Sequence, residues 1–489
     1  MIRLALLFWL CASVNLIFSQ SDATLSNETE TCIGCHESVS PGIVADWKNS
    51  RHYKTTVAAA FAQEESSRRI SISKLKDSEI NDFSVGCFEC HGLNPEAHTD
   101  NFEHFGYQIN VIVSPEDCKT CHPVEVDQYV NSKKGFAFHN LADNAVYSTL
   151  VSTITSLKEY KNEEIHYLDP TQNSKNETCY ACHGTRVEVA GMKTVNSSMG
   201  EIEVPELRNY PNMGVGRINP DGSRGSCAAC HARHSFSIEV ARKPYTCRQC
   251  HLEPDVPAYK IYKESKHGNL FDSKHQDFNW SNVPWKVGED FTAPTCAVCH
   301  NAEIASPDGE IIAERSHDFA DRLWVRIFGL IYSHPQPDSG NTSVIVNSEG
   351  LPLPTTFVNQ QAEGFLIDDS TQHLRQDRMK RVCSTCHSTS WTELHFNKIE
   401  KTNSETDEMV KTATLLLSNA WEKGIANKEN PFDEAIEQAW IRQWLFYANS
   451  VRHGTAMMGP DYTSFKLGWW ELTQNLQKMK ELKKINLQE

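Results

Sequence analysis

Eight C-x-x-C-H motifs that use every cysteine beyond the N-terminal leader, short spacings between them, and a motif-free C-terminal segment with apolar residues at helical spacing together predict one fold class. It is mainly α, a multihaem cytochrome c fold with the haem array as its core and a helical bundle at the C-terminal end. Each part of that prediction follows from identifiable residues.

The chain has 489 residues and a formal net charge of -16. Its acidic balance argues against nucleic acid, which requires a basic patch. Met1 to Gln20 reads as a secretory signal: Arg3, the apolar run Leu4–Leu10, then small and polar residues. Phe8, Trp9 and Leu10 before Cys11 are too large for a lipoprotein site. No later segment has the roughly 18 consecutive apolar residues of a spanning helix. The expectation is an exported chain without a transmembrane anchor, in the periplasm or an equivalent extracytoplasmic compartment.

Of 17 cysteines, Cys11 falls in the leader. The other sixteen form CIGCH (Cys32, Cys35, His36), CFECH (Cys87, Cys90, His91), CKTCH (Cys118, Cys121, His122), CYACH (Cys179, Cys182, His183), CAACH (Cys227, Cys230, His231), CRQCH (Cys247, Cys250, His251), CAVCH (Cys296, Cys299, His300) and CSTCH (Cys383, Cys386, His387). They are numbered one to eight below. Each is the attachment signature of a c-type haem: two thiols reach the vinyl groups and the adjacent histidine ligates iron. Disulfides, zinc ligands and thioredoxin-like pairs also use cysteines, but none explains eight repeats of the full motif. Eight haems leave roughly 60 residues each, too few for separate protein cores, so the porphyrins are expected to form the interior.

The expected domains are a signal peptide at 1–20, an octahaem domain at 21–400 and a helical region at 401–489. Within the last, Thr406–Lys423 and Phe432–Val451 alternate polar and apolar residues at helical spacing, Pro431 opens the second segment, and Glu471–Ile485 reads as a further helix. A long helical segment without its own cofactor packs on the haem domain or forms an oligomer interface.

Electron-transfer haems of this kind take two histidines, whereas a catalytic haem keeps one face open. Of 21 histidines, eight lie in motifs and thirteen remain, enough for every second ligand. His234 follows motif five so closely that it must serve a neighbouring haem.

The stretches ADWKNSRH around His52, GSCAACHARHSFSIEVARKPYTCRQCH from Gly225, ESKHGNL around His267, APTCAVCH from Ala293 and GPDYT from Gly459, with eight motifs in order, resemble the octahaem hydroxylamine oxidoreductases and their hydrazine-oxidising and nitrite-reducing relatives. The resemblance runs from Cys32 to about Trp470. It implies seven bis-histidine haems, with second ligands His52, His98, His139, His234, His267, His317 and His453; His104 is a rival to His98. It implies an open fourth haem with His183 as proximal ligand, beside Asp255. A histidine expected at the next position is Val256. It also implies that Tyr462, contributed by a neighbouring subunit of a trimer, bonds covalently to the open haem. Arg186 and Tyr332 are further pocket candidates by position.

The reaction so implied is oxidation of hydroxylamine to nitric oxide or nitrite, with a small c-type cytochrome as electron partner. Reduction of nitrite on the same fold, oxidation of hydrazine, and a non-catalytic electron carrier are the alternatives. Val256 cannot accept a proton, which leaves the direction open.

Overall fold

The computed structural model describes residues 24–75, 78–197, 200–324, 336–358, 360–457 and 462–485. The expected leader and Tyr332 lie outside these, as do Gly459, Pro460 and Asp461. The chain is mainly α, with three antiparallel hairpins and one three-stranded sheet among the described residues.

The motifs are local helical turns. Motifs two, four and seven are the helices Cys87–His91, Cys179–His183 and Cys296–His300. In motifs three, five, six and eight the histidine N–H donates to the carbonyl of the first cysteine at 2.9–3.0 Å. One α-turn brings residues three and four apart onto one face, so C-x-x-C-H presents both sulfurs and the imidazole together.

These short turns are anchored by distant residues. Glu89 of motif two accepts from Ser26 Oγ (2.5 Å), Thr29 Oγ1 (2.7 Å) and Gly86 N (2.9 Å), tying it to the first helix, Asn27–Val39. Motif four is gripped by a glycine-rich strap. Val215 N donates to Cys182 O at 2.9 Å and Gly216 N to His183 O at 3.1 Å. The backbones approach so closely that a Cβ on Gly214 would lie 2.2 Å from Gly184 N, a reason only glycine serves there.

The C-terminal region is a helical bundle with its own core. Helix Thr389–Glu422 starts at the Ser388 cap and buries Phe396, Ile399, Val410, Ala413, Leu417 and Ala420 along one stripe. It ends at Gly424, whose φ of 69° suits glycine, with Ile425 N donating to Ala420 O. This helix crosses the expected boundary at 400 without a break and begins directly after motif eight. Ala435–Ile441 leads through a π-helical turn, Arg442–Tyr447, into Ala448–Met457. A second π-helical turn, Tyr462–Trp469, leads into Trp470–Ile485.

Trp440, Trp444, Phe432, Leu417, Leu472 and Met479 are fully buried in one cluster with Leu150, Leu353 and Phe357. The expectation that haems would be the only interior is therefore corrected: the motif-free helices bury enough apolar surface to form a conventional core. Trp440→Ala empties the middle of it and leaves Thr414 Oγ1 without its indole donor, 3.0 Å away. The expected loss is about 3–5 kcal/mol, read as a lowered chemical-denaturation midpoint with haem content unchanged at low denaturant.

Candidate functional site: a line of histidine pairs and an aspartate at motif four

Two imidazoles binding one metal from opposite sides, with metal–nitrogen bonds of roughly 2 Å and ring radii of roughly 1 Å, have centroids roughly 6 Å apart. Four pairs have this separation: His36 and His104 at 6.3 Å, His52 and His122 at 6.3 Å, His231 and His317 at 6.5 Å, and His267 and His387 at 6.1 Å. Each joins a motif histidine to one outside the motifs. Burial, then the facing or neighbouring histidines, hold His52 down to about 4 and His317 to about 3. These rings are therefore neutral, with a lone pair available to a metal.

The remaining rings are oriented for the same role. His91 Nδ1 lies 2.7 Å from Asn110 O, His183 Nδ1 3.3 Å from Ala137 O, and His453 Nδ1 2.8 Å from Asn449 O. A hydrogen bond at Nδ1 leaves Nε2 for metal. Burial, then His91, lower the pKa of His234. His453 is among the charges felt by both His251 and His300. His139 has Nδ1 2.6 Å from Asp143 Oδ2, on the helix Ala137–Ala142 beside motif four.

His98 is placed differently from these rings. Both ring nitrogens are committed: Nδ1 is 3.1 Å from Asp100 Oδ1, Nε2 is 3.2 Å from Asp117 Oδ2, and Asp221 Oδ2 lies 3.9 Å away. Burial alone would lower its pKa, but Asp100 and Asp117 outweigh that and raise it to about 10. A protonated ring has no lone pair for iron. His104 faces His36 instead. It ends strand Asn101–His104, paired with Tyr107 across a tight turn at Phe105 (φ 50°) and Gly106 (φ 92°). The far end of the same hairpin supplies Asn110 O to His91, so one hairpin orients rings for motifs one and two.

The motifs form a connected line. Sulfurs of Cys32 and Cys87, Cys118 and Cys227, Cys182 and Cys250, and Cys247 and Cys296 lie within hydrogen-bonding reach of each other. Cys90 feels Cys121, Cys230 feels Cys247 and Cys250, and Cys383 feels Cys299. The order is one, two, three, five, six, seven, eight, with motif four joining at six. All sixteen described cysteines are unpaired by disulfides.

Asp255 stands where motif four joins. Its charge is felt by Cys179, Cys182 and His183. Its Oδ1 accepts from Val256 N at 3.1 Å, and its carbonyl accepts from Asn449 Nδ2 at 3.0 Å. Asn449 is fully buried. Sequence reasoning passed over it, and no local pattern marks it. Val256 is half-buried beside Asp255. Arg186 is exposed, with its guanidinium 5.9 Å from the Phe138 ring, which packs at 5.4 Å on Tyr180 of motif four. Tyr462 opens its π-helical turn, but its side chain lies outside the described residues.

The paired imidazoles, the Nδ1 partners of His91, His183 and His453, and the free sulfurs fit c-type haem. Fold and site thus define a multihaem c-type cytochrome. Residues 31–105 and 117–203 match the family model described as cytochrome c554 and c-prime, and residues 216–309 match the multihaem cytochrome C-x-x-C-H model. A solved structure described as a hypothetical multihaem protein is 40% identical, with a TM-score of 0.89 over 94% of this chain and 96% of that chain. This chain belongs to that protein's family, a multihaem cytochrome c family, and carries several c-type haems. A Kuenenia stuttgartiensis reducing HAO-like protein complex shares the fold, at a TM-score of 0.60 and 17% identity over 94% of this chain and 85% of that one. A Kuenenia stuttgartiensis protein described as a probable nitrite reductase-hydroxylamine oxidoreductase fusion is 27% identical over 55% of this chain. The chain spans only a quarter (25%) of that relative's length. No helix among the described residues is long and apolar enough to cross a membrane.

Proposed function

We propose that this chain is an exported oxidoreductase with eight c-type haems that oxidises hydroxylamine at motif four and passes the electrons into the array. The observation that carries this reading is Asp255 beside Cys179, Cys182 and His183, at the point where motif four meets motif six. The haem held there, when bound, offers an iron face for the substrate nitrogen and takes up electrons.

The protein's own residues manage protons and position. Oxidation of hydroxylamine to nitric oxide releases three electrons and three protons; continuing to nitrite releases a fourth electron. Asp255 is the proton acceptor. Asn449 holds its backbone, and Val256 gives the pocket an apolar wall that takes no proton. The iron pairs proposed are His36 with His104, His91 with His234, His122 with His52, His231 with His317 and His387 with His267, leaving His139 and His453 for motifs six and seven. Electrons entering at six have continuous paths to motif one and to motif eight. A small c-type cytochrome is the proposed acceptor, and a homotrimer with Tyr462 reaching a neighbour's motif-four haem is the proposed assembly.

Val256 neither accepts nor donates a proton and leaves the direction open. A site without the tyrosine cross-link fits nitrite reduction, with electrons running inward. Hydrazine oxidation is a close variant of the first reading, and a protein that binds no carbon monoxide when reduced would be an electron carrier only. Steady-state turnover separates these: hydroxylamine oxidation with an oxidised cytochrome is expected to exceed nitrite consumption with a reduced donor. Nitrite consumption alone would establish the second reading. Peptide mass analysis is expected to find Tyr462 joined to the haem on Cys179 and Cys182; a free Tyr462 peptide removes the cross-link.

A further inference from the structure

The four facing pairs differ in the angle between their ring planes. His231 and His317 are nearest parallel, at 24°; His36 and His104 stand at 45°, His267 and His387 at 55°, and His52 and His122 at 75°. The most crossed pair has an extra neighbour. The Phe236 ring meets the His52 ring in a T-shaped contact, with centroids 5.2 Å apart and planes at 73°.

Phe236 reaches His52 from an unusual backbone. Its φ is 44°, a region bulky residues rarely occupy and one that persists only where the surroundings over-determine it. Two anchors do so. Phe236 N donates to Ala232 O at 2.7 Å, immediately after motif five, and Ser237 Oγ accepts from Val240 N at 3.3 Å to cap helix Ile238–Arg242. The chain is bent between them and the phenyl ring is directed at His52.

We propose that Phe236 is a positioning residue that holds His52 across the plane of His122 and thereby makes motif three the electron-accepting member of the three–five pair. The inference rests on the reading that His52 and His122 share one iron. Two parallel imidazoles donate π density into the same iron d orbital, which splits the orbitals and stabilises the ferric state. Crossed imidazoles donate into two different d orbitals, reduce that splitting, and shift the potential to more positive values. Motif five, with its 24° pair, adjoins motif three through Cys227 and Cys118. One electron passing from five to three oxidises one iron and reduces the other, with no bond or proton change. Phe236 thus biases flow towards motifs two and one.

The test is electron paramagnetic resonance of the oxidised holoprotein, followed by potentiometric titration. Phe236→Ala is expected to replace one strongly anisotropic low-spin ferric signal by a rhombic one and to shift that haem's midpoint to more negative values. Phe236→Tyr, which keeps the ring edge, is expected to retain both properties. If Phe236→Ala fails to take up haem, Phe236→Leu, which fills the space without a flat edge, takes its place. His52→Ala is expected to turn the same haem high-spin. Spectra unchanged in the Phe236 variants but altered in His52→Ala overturn the role of Phe236. A low-spin signal unchanged in His52→Ala overturns the shared iron beneath it.

Discussion

Asp255→Ala is expected to lower turnover about 10²- to 10⁴-fold, the range a positioned proton acceptor contributes, while the low-spin haem spectrum stays unchanged. The separation of effects follows from geometry. The contacts that place the loop run through its backbone: Asn449 Nδ2 holds Asp255 O, and Val256 N also donates to Leu252 O at 3.0 Å. Removing the carboxylate leaves these in place. Asp255→Asn is the sharper variant, because its side-chain oxygen can still accept from Val256 N but cannot take a proton. Equal losses in the two variants assign the role to proton transfer. Wild-type turnover in Asp255→Asn would remove Asp255 as a base.

The second large effect separates two histidines six positions apart. His104→Ala is expected to convert one low-spin haem to a high-spin, carbon monoxide-binding one. His98→Ala is expected to leave the low-spin complement intact and to cost about 3–5 kcal/mol of stability, because the buried Asp100 and Asp117 lose their cation. The pH dependence has a definite sign. The His98 pKa is raised to about 10 in the fold, so its contribution is fully present below the ordinary imidazole value near 6.5 and is lost as pH rises through about 10. Denaturation midpoints between those limits should slope downward in the wild type and less so in His98→Ala. A new carbon monoxide-binding haem in His98→Ala, with none in His104→Ala, would reverse the assignment.

The two residues also mark the limit of what the sequence reveals. The motifs are legible because their chemistry is local: one helical turn carries both sulfurs and the ring. The C-terminal helices are legible because burial follows the same period, as in Phe396, Ile399, Asn403 and Thr406. The partners of an unattached histidine are not local. His98 and His104 look alike along the chain, and what divides them is Asp117, nineteen residues on, which with Asp100 takes up both His98 ring nitrogens, together with a hairpin turn at Phe105 that places a phenylalanine at positive φ. The helix Thr389–Glu422 starts before the expected boundary at 400, because Thr389 to Lys401 also has helical period while following directly on motif eight.

Asn449 gives the motif-free helices a direct hold on the loop that carries Asp255. Its side-chain amide grips the Asp255 carbonyl, and its own carbonyl receives His453 Nδ1, so one buried residue holds both the proposed proton acceptor and a proposed iron ligand. The helix bearing it is continuous, through the π-helical turn that buries Trp444, with the one that buries Trp440. The tryptophan core and the two residues proposed to act in proton transfer and iron ligation therefore hang on one helical rod.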